Sequence, residues 1–218
     1  MALFKRKRKF RKKKRTDTLA IIGNVDFHHE IHSRVMDKKL DFFVWLPPGY
    51  ELNPAKHYPV LYMHDGQNLI DPKTCYSGKD WQVDETVTRL IKEYKINEII
   101  VVGIYNTDMR LEEYSDSERG KKYTKFIIEE LKPFVDSKYR TLSDNKNSAI
   151  MGSSMGGLAS FLIAWKHPEV FSMAGCLSSS FYYNDDKVFK MIDEYSGQKK
   201  HIKFYIDHGE DGLVRGQK

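Results

Sequence analysis

Cysteine is scarce in this chain, with two among 218 residues. Cys75 lies in a polar loop and Cys176 in the apolar run Met173-Ala174-Gly175-Cys176-Leu177. Two thiols so far apart and in such unlike settings argue against a disulfide framework and against a cysteine metal site. Cys176 is expected as a small core residue. No apolar run reaches the eighteen or so residues that a membrane-spanning helix needs. Internal repeats and low-complexity linkers are also missing, and the length suggests one domain. What is present supports a packed core: 40% of the residues are hydrophobic and 13% aromatic.

The net charge of +6 conceals an uneven distribution. Residues 5–15, KRKRKFRKKKR, hold ten of the 36 basic residues. Without them 26 basic side chains face 30 acidic ones, a balance of −4. The basicity therefore belongs to a tail, residues 1–17, and not to the fold. Such a run repels itself and is expected to be disordered. Its charge suits nucleic acid, an anionic membrane or nuclear import. The plainer reading, a solvated tail with weak polyanion contact, is the one adopted. A secretory signal requires a longer apolar stretch next, whereas Thr16-Asp17-Thr18 precedes only Leu19 to Ile22. The expectation is a cytoplasmic protein without a signal peptide.

Residues 18–218 alternate strand-like and helix-like segments. Val25 to Ile31 alternates as a half-wet strand does, and Leu40 to Leu46 (LDFFVWL) is aromatic and β-branched before Pro47-Pro48-Gly49. These two suggest an antiparallel hairpin. Pro59 to His64 is a short apolar run ending in Asp65-Gly66, and Glu98 to Ile104 is apolar on both faces, as buried parallel strands are. Ser148 to Met151, Phe171 to Leu177 and Ile202 to Asp207 complete the strands. Val83, Val87, Leu90, Ile91 and Tyr94 recur at helical spacing, as do Tyr123, Phe126, Ile127, Leu131 and Phe134. A third helix is predicted over Met155 to Lys166, stopped by His167-Pro168. This rhythm predicts an α/β protein with a mostly parallel sheet and helices on both faces.

The segment Ala149-Ile150-Met151-Gly152-Ser153-Ser154-Met155-Gly156-Gly157 contains Gly-x-Ser-x-Gly as Gly152, Ser154 and Gly156. It sits after a predicted strand and before a predicted helix, the context that the pattern requires. Such a turn strains the backbone at Ser154 and lifts its hydroxyl above the sheet. Small residues two before and two after avoid collision with neighbouring strands. The N–H of Met155 points at the same centre, and the helix N-terminus favours developing negative charge.

At this point the chain resembles a family of esterases that includes enterochelin esterases, esterase D, bacterial feruloyl and acetylxylan esterases, and mycolyltransferases. The resemblance spans roughly residues 20–215. It is carried by Val44-Trp45-Leu46-Pro47-Pro48-Gly49-Tyr50, Tyr58 to Leu69 (YPVLYMHDGQNL), Val101-Val102-Gly103-Ile104 with Arg110-Leu111-Glu112-Glu113-Tyr114, Glu129 to Pro133 with Tyr139-Arg140-Thr141, and Gly152 to Leu158 (GSSMGGL). It implies the α/β-hydrolase fold and a serine nucleophile at Ser154. It also implies an oxyanion hole shared by the N–H groups of Met155 and Gln67. His64 is expected beneath the loop. Arg110, Glu113 and Tyr114 either line the pocket mouth or pin their loop by an ion pair, and Trp81 is expected as a packing anchor or cleft border.

The resemblance further implies an acid after a late strand and then a histidine. The matching loop is His208-Gly209-Glu210-Asp211-Gly212, with Asp211 as the acid and Glu210 and Asp207 as fallbacks. The histidine, one further helix and one strand would follow Lys218. The eight histidines present offer no clear substitute. The expectation is therefore a C-terminally incomplete esterase domain, its final strand and helix missing and its activity impaired, with an open sheet edge through which it could pair as a homodimer. No metal or organic cofactor is implied. The substrate would be a small acyl ester, a sugar-linked ester or a siderophore ester. Two rivals remain: a non-catalytic binding module on the same scaffold, and a tether whose function lies in the basic tail.

Overall fold

The structure is a computed structural model and describes residues 21–208, the side chains of residues 185 and 186 excepted. The basic tail, Glu210 and Asp211 lie outside the described residues. The described residues form seven strands: β1 (Asn24–Ser33), β2 (Lys38–Leu46), β3 (Val60–His64), β4 (Ile100–Ile104), β5 (Ser148–Ser153), β6 (Met173–Leu177) and β7 (Lys203–Ile206). They form one sheet in the order β1-β2-β4-β3-β5-β6-β7. β1 and β2 are the expected antiparallel hairpin, and β2 also runs antiparallel to β4. The remaining pairs are all parallel. Six helices accompany them: α1 (Val83–Lys92), α2 (Arg110–Glu113), α3 (Glu118–Phe126), α4 (Lys132–Lys138), α5 (Met155–Lys166) and α6 (Tyr183–Asp193). A π-helical turn, Ile127–Leu131, joins α3 to α4.

Both sheet faces are covered, because the strands are apolar at successive positions. Phe42, Val44 and Leu46 of β2, Val102 of β4 and Ile150 of β5 pack into a core with Phe126, Leu131, Leu158 and Phe161 from the helices. The intervening Phe43, Trp45, Met63 and Val101 face the other way, against Val83 and Val87 of α1. The alternation follows from the two-residue period of strands. Cys176 is fully buried, as expected, and burial pushes its thiol up to about 12. The face changes character towards β7, where Tyr205 and Ile206 are exposed. Among the described residues β7 pairs with β6 alone. No helix among the described residues is long and apolar enough to cross a membrane.

α6 was not anticipated from sequence. Its apolar positions Val188, Met191 and Ile192 do pack against the main core, but a polar first turn hides the period. α1 opens on a left-handed Gln82 without a side-chain cap. Its first turn holds the buried Asp84, whose Oδ2 accepts the N–H of Ile22 at 2.7 Å. Burial, then a hydrogen bond with Glu85, pushes the Asp84 carboxyl up to about 7. Folding thus favours its protonated form, a contribution present at low pH and lost as pH rises towards and through 7. Asp84→Asn mimics the protonated state. It is expected to raise Tm at pH 8 by about 2–4 °C more than at pH 5, a difference that scanning calorimetry at the two pH values measures.

Candidate active site

Parallel register gathers the candidate residues at one end of the sheet. Met63 of β3 lies beside Met151 of β5, Ser153 beside Leu177 of β6, and His64 beside Ile104 of β4. The segments leaving these strands therefore emerge together: Asp65-Gly66-Gln67, Tyr105-Asn106, Ser154-Met155 and Ser178-Ser179-Ser180. The chain after β3 runs to β4 on one side, and β5 occupies the other side. The site thus sits where strand order reverses, at the carboxyl ends of the strands, as ligand sites in open α/β sheets do.

Ser154 connects β5 to α5 with φ 55° and ψ −121°, a conformation that side chains avoid. Its N–H bonds the Leu177 carbonyl at 2.9 Å, and its own carbonyl accepts the N–H of Ser180 at 3.1 Å. These bonds fasten the strained turn to the loop after β6. The glycine at 152 is obligatory on steric grounds, since a Cβ there would lie 2.7 Å from the Gly156 carbonyl. Ser154 is exposed, and Met155 occupies the first position of α5, where N–H groups lack an intrahelical acceptor. The strained turn and the extent of α5 are as the sequence predicts. The sequence did not single out Ser180, whose buried hydroxyl stands 3.1 Å from that of Ser154. The serine run at the carboxyl end of β6 was the available signal.

Gln67 sits in a 3₁₀ turn, Gly66–Asn68, which opens on a left-handed Asp65 (φ 58°, ψ 45°). Gly66 is wedged against β4: a Cβ there would fall 2.6 Å from the Gly103 carbonyl. On its other side the turn abuts α5, because a Cβ on Gly156 would be 3.3 Å from both Asp65 Oδ2 and the His64 Cβ. Gln67 and Met155 are thus carried by two turns in mutual contact. Neighbouring loops pin the Gln67 turn. Gln67 O accepts from Thr74 Oγ1 at 2.6 Å, Gln67 Oε1 accepts the N–H of Asn106 at 3.2 Å, and Trp81 donates its N–H to Asn68 O at 2.9 Å. Trp81, expected as a packing anchor or cleft border, is 39% exposed and is tied to the turn through its backbone N–H.

Asp65 is buried and accepts from Arg110 Nε at 2.6 Å, Arg110 Nη2 at 2.8 Å and Asn106 Nδ2 at 2.5 Å. Its N–H donates to the Tyr114 hydroxyl at 3.2 Å. Glu113, also buried, accepts from Lys38 Nζ and Thr107 Oγ1, each at 2.8 Å. Of the two roles weighed for residues 110–114, loop pinning by ion pairs is the one the contacts bear out. His64 lies beneath the loop as expected, 2.9 Å from the Tyr123 hydroxyl through Nδ1. Burial lowers its pKa to about 4.

The other candidates are partly placed. Asp207 receives the N–H of Ser178 on Oδ1 at 2.8 Å, so its carboxylate is engaged with backbone. Asp211 and Glu210 lie outside the described residues. The hydrogen-bond partner of the Ser154 hydroxyl is Ser180 and not a histidine. Elsewhere His28 bonds Tyr139, His29 bonds Asp41 and His167 bonds Glu169. Among the described residues, Asp80, Asp84 and Glu85 have oxygens within 4.8 Å of one another, and Asp84 already accepts from Ile22.

Residues 33–215 match the esterase family described as "Putative esterase". The chain belongs to that family. This family member is similar to an endo-1,4-beta-xylanase/feruloyl esterase of Xylanibacter ruminicola, with 32% identity over 168 residues, 72% of this chain and 22% of that protein. Among solved structures, a ferulic acid esterase superposes with a TM-score of 0.61 at 30% identity, covering 74% of this chain and 62% of the other. An IroE-like serine hydrolase from Shewanella oneidensis reaches 0.70 at 21% identity, covering 84% and 60%. The fold is the α/β-hydrolase fold. The chain spans less than two thirds of the length of each of these three relatives.

His64 generates a test of this geometry. A histidine held neutral at a folded pKa of about 4 costs the protein stability as pH falls from the unfolded value near 6.5 towards 4. Between pH 7 and pH 4.5 the loss from this one group is about 2 kcal/mol. Urea unfolding at the two pH values is expected to show a loss smaller by that amount in His64→Gln, whose amide does not titrate.

Proposed function

We propose that this chain is a serine carboxylic-ester hydrolase that works through an acyl-enzyme on Ser154. The observation that carries the reading is the strained, exposed Ser154 at the start of α5, with the Gln67 turn packed against the same first helical turn. Attack by the Ser154 oxygen on an ester carbonyl creates an oxyanion. The amides of Met155 and Gln67 supply the two donors that such an intermediate needs, and the α5 N-terminus adds a favourable field. The Ser154 proton passes to the triad histidine and from it to the departing alkoxide, and water then cleaves the acyl-enzyme to release the acid and regenerate the Ser154 hydroxyl. Asp211 is assigned as the acid that orients the triad histidine. Asp207 suits this less well, because its carboxylate is taken up by Ser178. Small acyl, sugar-linked or siderophore esters are the proposed substrate class, in keeping with the feruloyl and ferulic acid esterases that the chain is similar to.

Ser154 hydrogen-bonds a hydroxyl rather than an imidazole. That observation keeps a second reading in view, a binding module that retains the turn without turnover. Hydrolysis of p-nitrophenyl acetate and butyrate by the wild-type chain is expected to exceed that of Ser154→Ala, in which only the contribution of the oxyanion hole and binding remains. Equal rates for wild type and Ser154→Ala would pass the lead to the binding module.

A further inference from the structure

Asp65 is a left-handed, non-glycine residue directly before the Gln67 turn, and its conformation sets the direction in which the following amides point. Two walls of that turn are rigid backbone, Gly103 of β4 and the first turn of α5. Beside the bonds from Thr74 and Trp81 to Gln67 O and Asn68 O, a set of side-chain constraints comes from one short segment. Arg110 grips both carboxylate oxygens of Asp65, and Tyr114, one helical turn on, accepts its N–H. Asn106, in the same loop, holds Asp65 through its side chain and Gln67 through its N–H. The segment is itself tied down, since Glu113 is fixed by Lys38 of β2 and by Thr107. The Arg110 guanidinium lies 4.9 Å from the centre of the Tyr114 ring.

We propose that Arg110 is a positioning residue for ester hydrolysis: through its two-pronged bond to Asp65 it holds the Gln67 amide in place for the oxyanion. The proposal rests on the esterase reading above. Arg110 touches no reacting atom, so its effect belongs in kcat and not in KM. A planar fork fits two carboxylate oxygens at once, which an ammonium cannot do. The Arg110 side chain is 27% exposed, which leaves a way in for a small replacement cation.

The test compares wild type, Ser154→Ala, Arg110→Ala and Arg110→Lys on p-nitrophenyl acetate. Each is measured with and without millimolar guanidinium chloride, and Tm is followed in parallel. Loss of a whole oxyanion donor costs about 10²–10³ in kcat. Misplacing one is expected to lower kcat by about 10–100-fold in Arg110→Ala, with KM within about threefold. Arg110→Lys should recover only part of the loss. Guanidinium should restore Arg110→Ala, leave wild type unchanged and leave Tm unmoved. Should Arg110→Ala fold poorly, Arg110→Lys alone reads the proposal, through a lowered kcat at unchanged KM. If hydrolysis requires Ser154 while the Arg110 variants keep the wild-type kcat, the clamp is refuted and the esterase reading stands. The clamp is also refuted if kcat falls only in step with Tm and guanidinium does not restore it. If wild type and Ser154→Ala hydrolyse alike, the esterase reading fails and this inference falls with it.

Discussion

Met63 on β3 and Met151 on β5 lie side by side in a parallel pair, and almost everything chemical in this protein depends on that register. Three residues past one stands Gly66, and three past the other stands Ser154. A parallel pair sends both chains out of the sheet at the same end, so the turn carrying Gln67 and the turn carrying Ser154 have to meet. A slip of one residue would reverse every side chain along the strand and drive core residues into solvent. The burial of Ile150 on one face and the packing of Met63 on the other hold the register. The site is thus a consequence of the core, with loop chemistry added at the strand ends.

Electrostatics below the site follow from the same crowding. His64 and Asp65 are adjacent and both buried, yet they are treated in opposite ways. Asp65 is surrounded by a guanidinium and an amide, which donate to both of its carboxylate oxygens. His64 is given a tyrosine hydroxyl and no carboxylate partner, so burial favours its neutral form. Two positive groups side by side, Arg110 and a protonated His64, would be unfavourable in this setting, and the lowered pKa avoids them. A neutral imidazole that packs on Tyr114 and Tyr123 is a buttress for the loop.

Much of this was legible in the amino-acid sequence, because the signals were local. Apolar runs, two-sided in β4, announced β2 to β6, and Gly-x-Ser-x-Gly followed by a helical pattern up to His167-Pro168 marked α5. The Asp65–Arg110 bond was legible only in part. The loop around Arg110 suggested an ion pair, but its partner is 45 positions away and only the fold joins them. Ser180 was missed for a similar reason: a serine after a strand looks like any turn until β6 is known to lie beside β5. α6 was hidden because Asn184, Asp185, Asp186 and Lys187 near its start interrupt the apolar period. Trp81 looked like an anchor by its type, whereas the bond that matters there is made by its backbone.

On the proposed mechanism, fold and loops together activate the Ser154 hydroxyl towards acyl-type electrophiles. Incubation of the native chain with a fluorophosphonate probe, followed by peptide mass mapping, addresses it directly. One adduct is expected, on the peptide containing Ser154, absent from Ser154→Ala and absent after denaturation. Labelling spread over other serines, or equal labelling of the native and denatured chain, would contradict it.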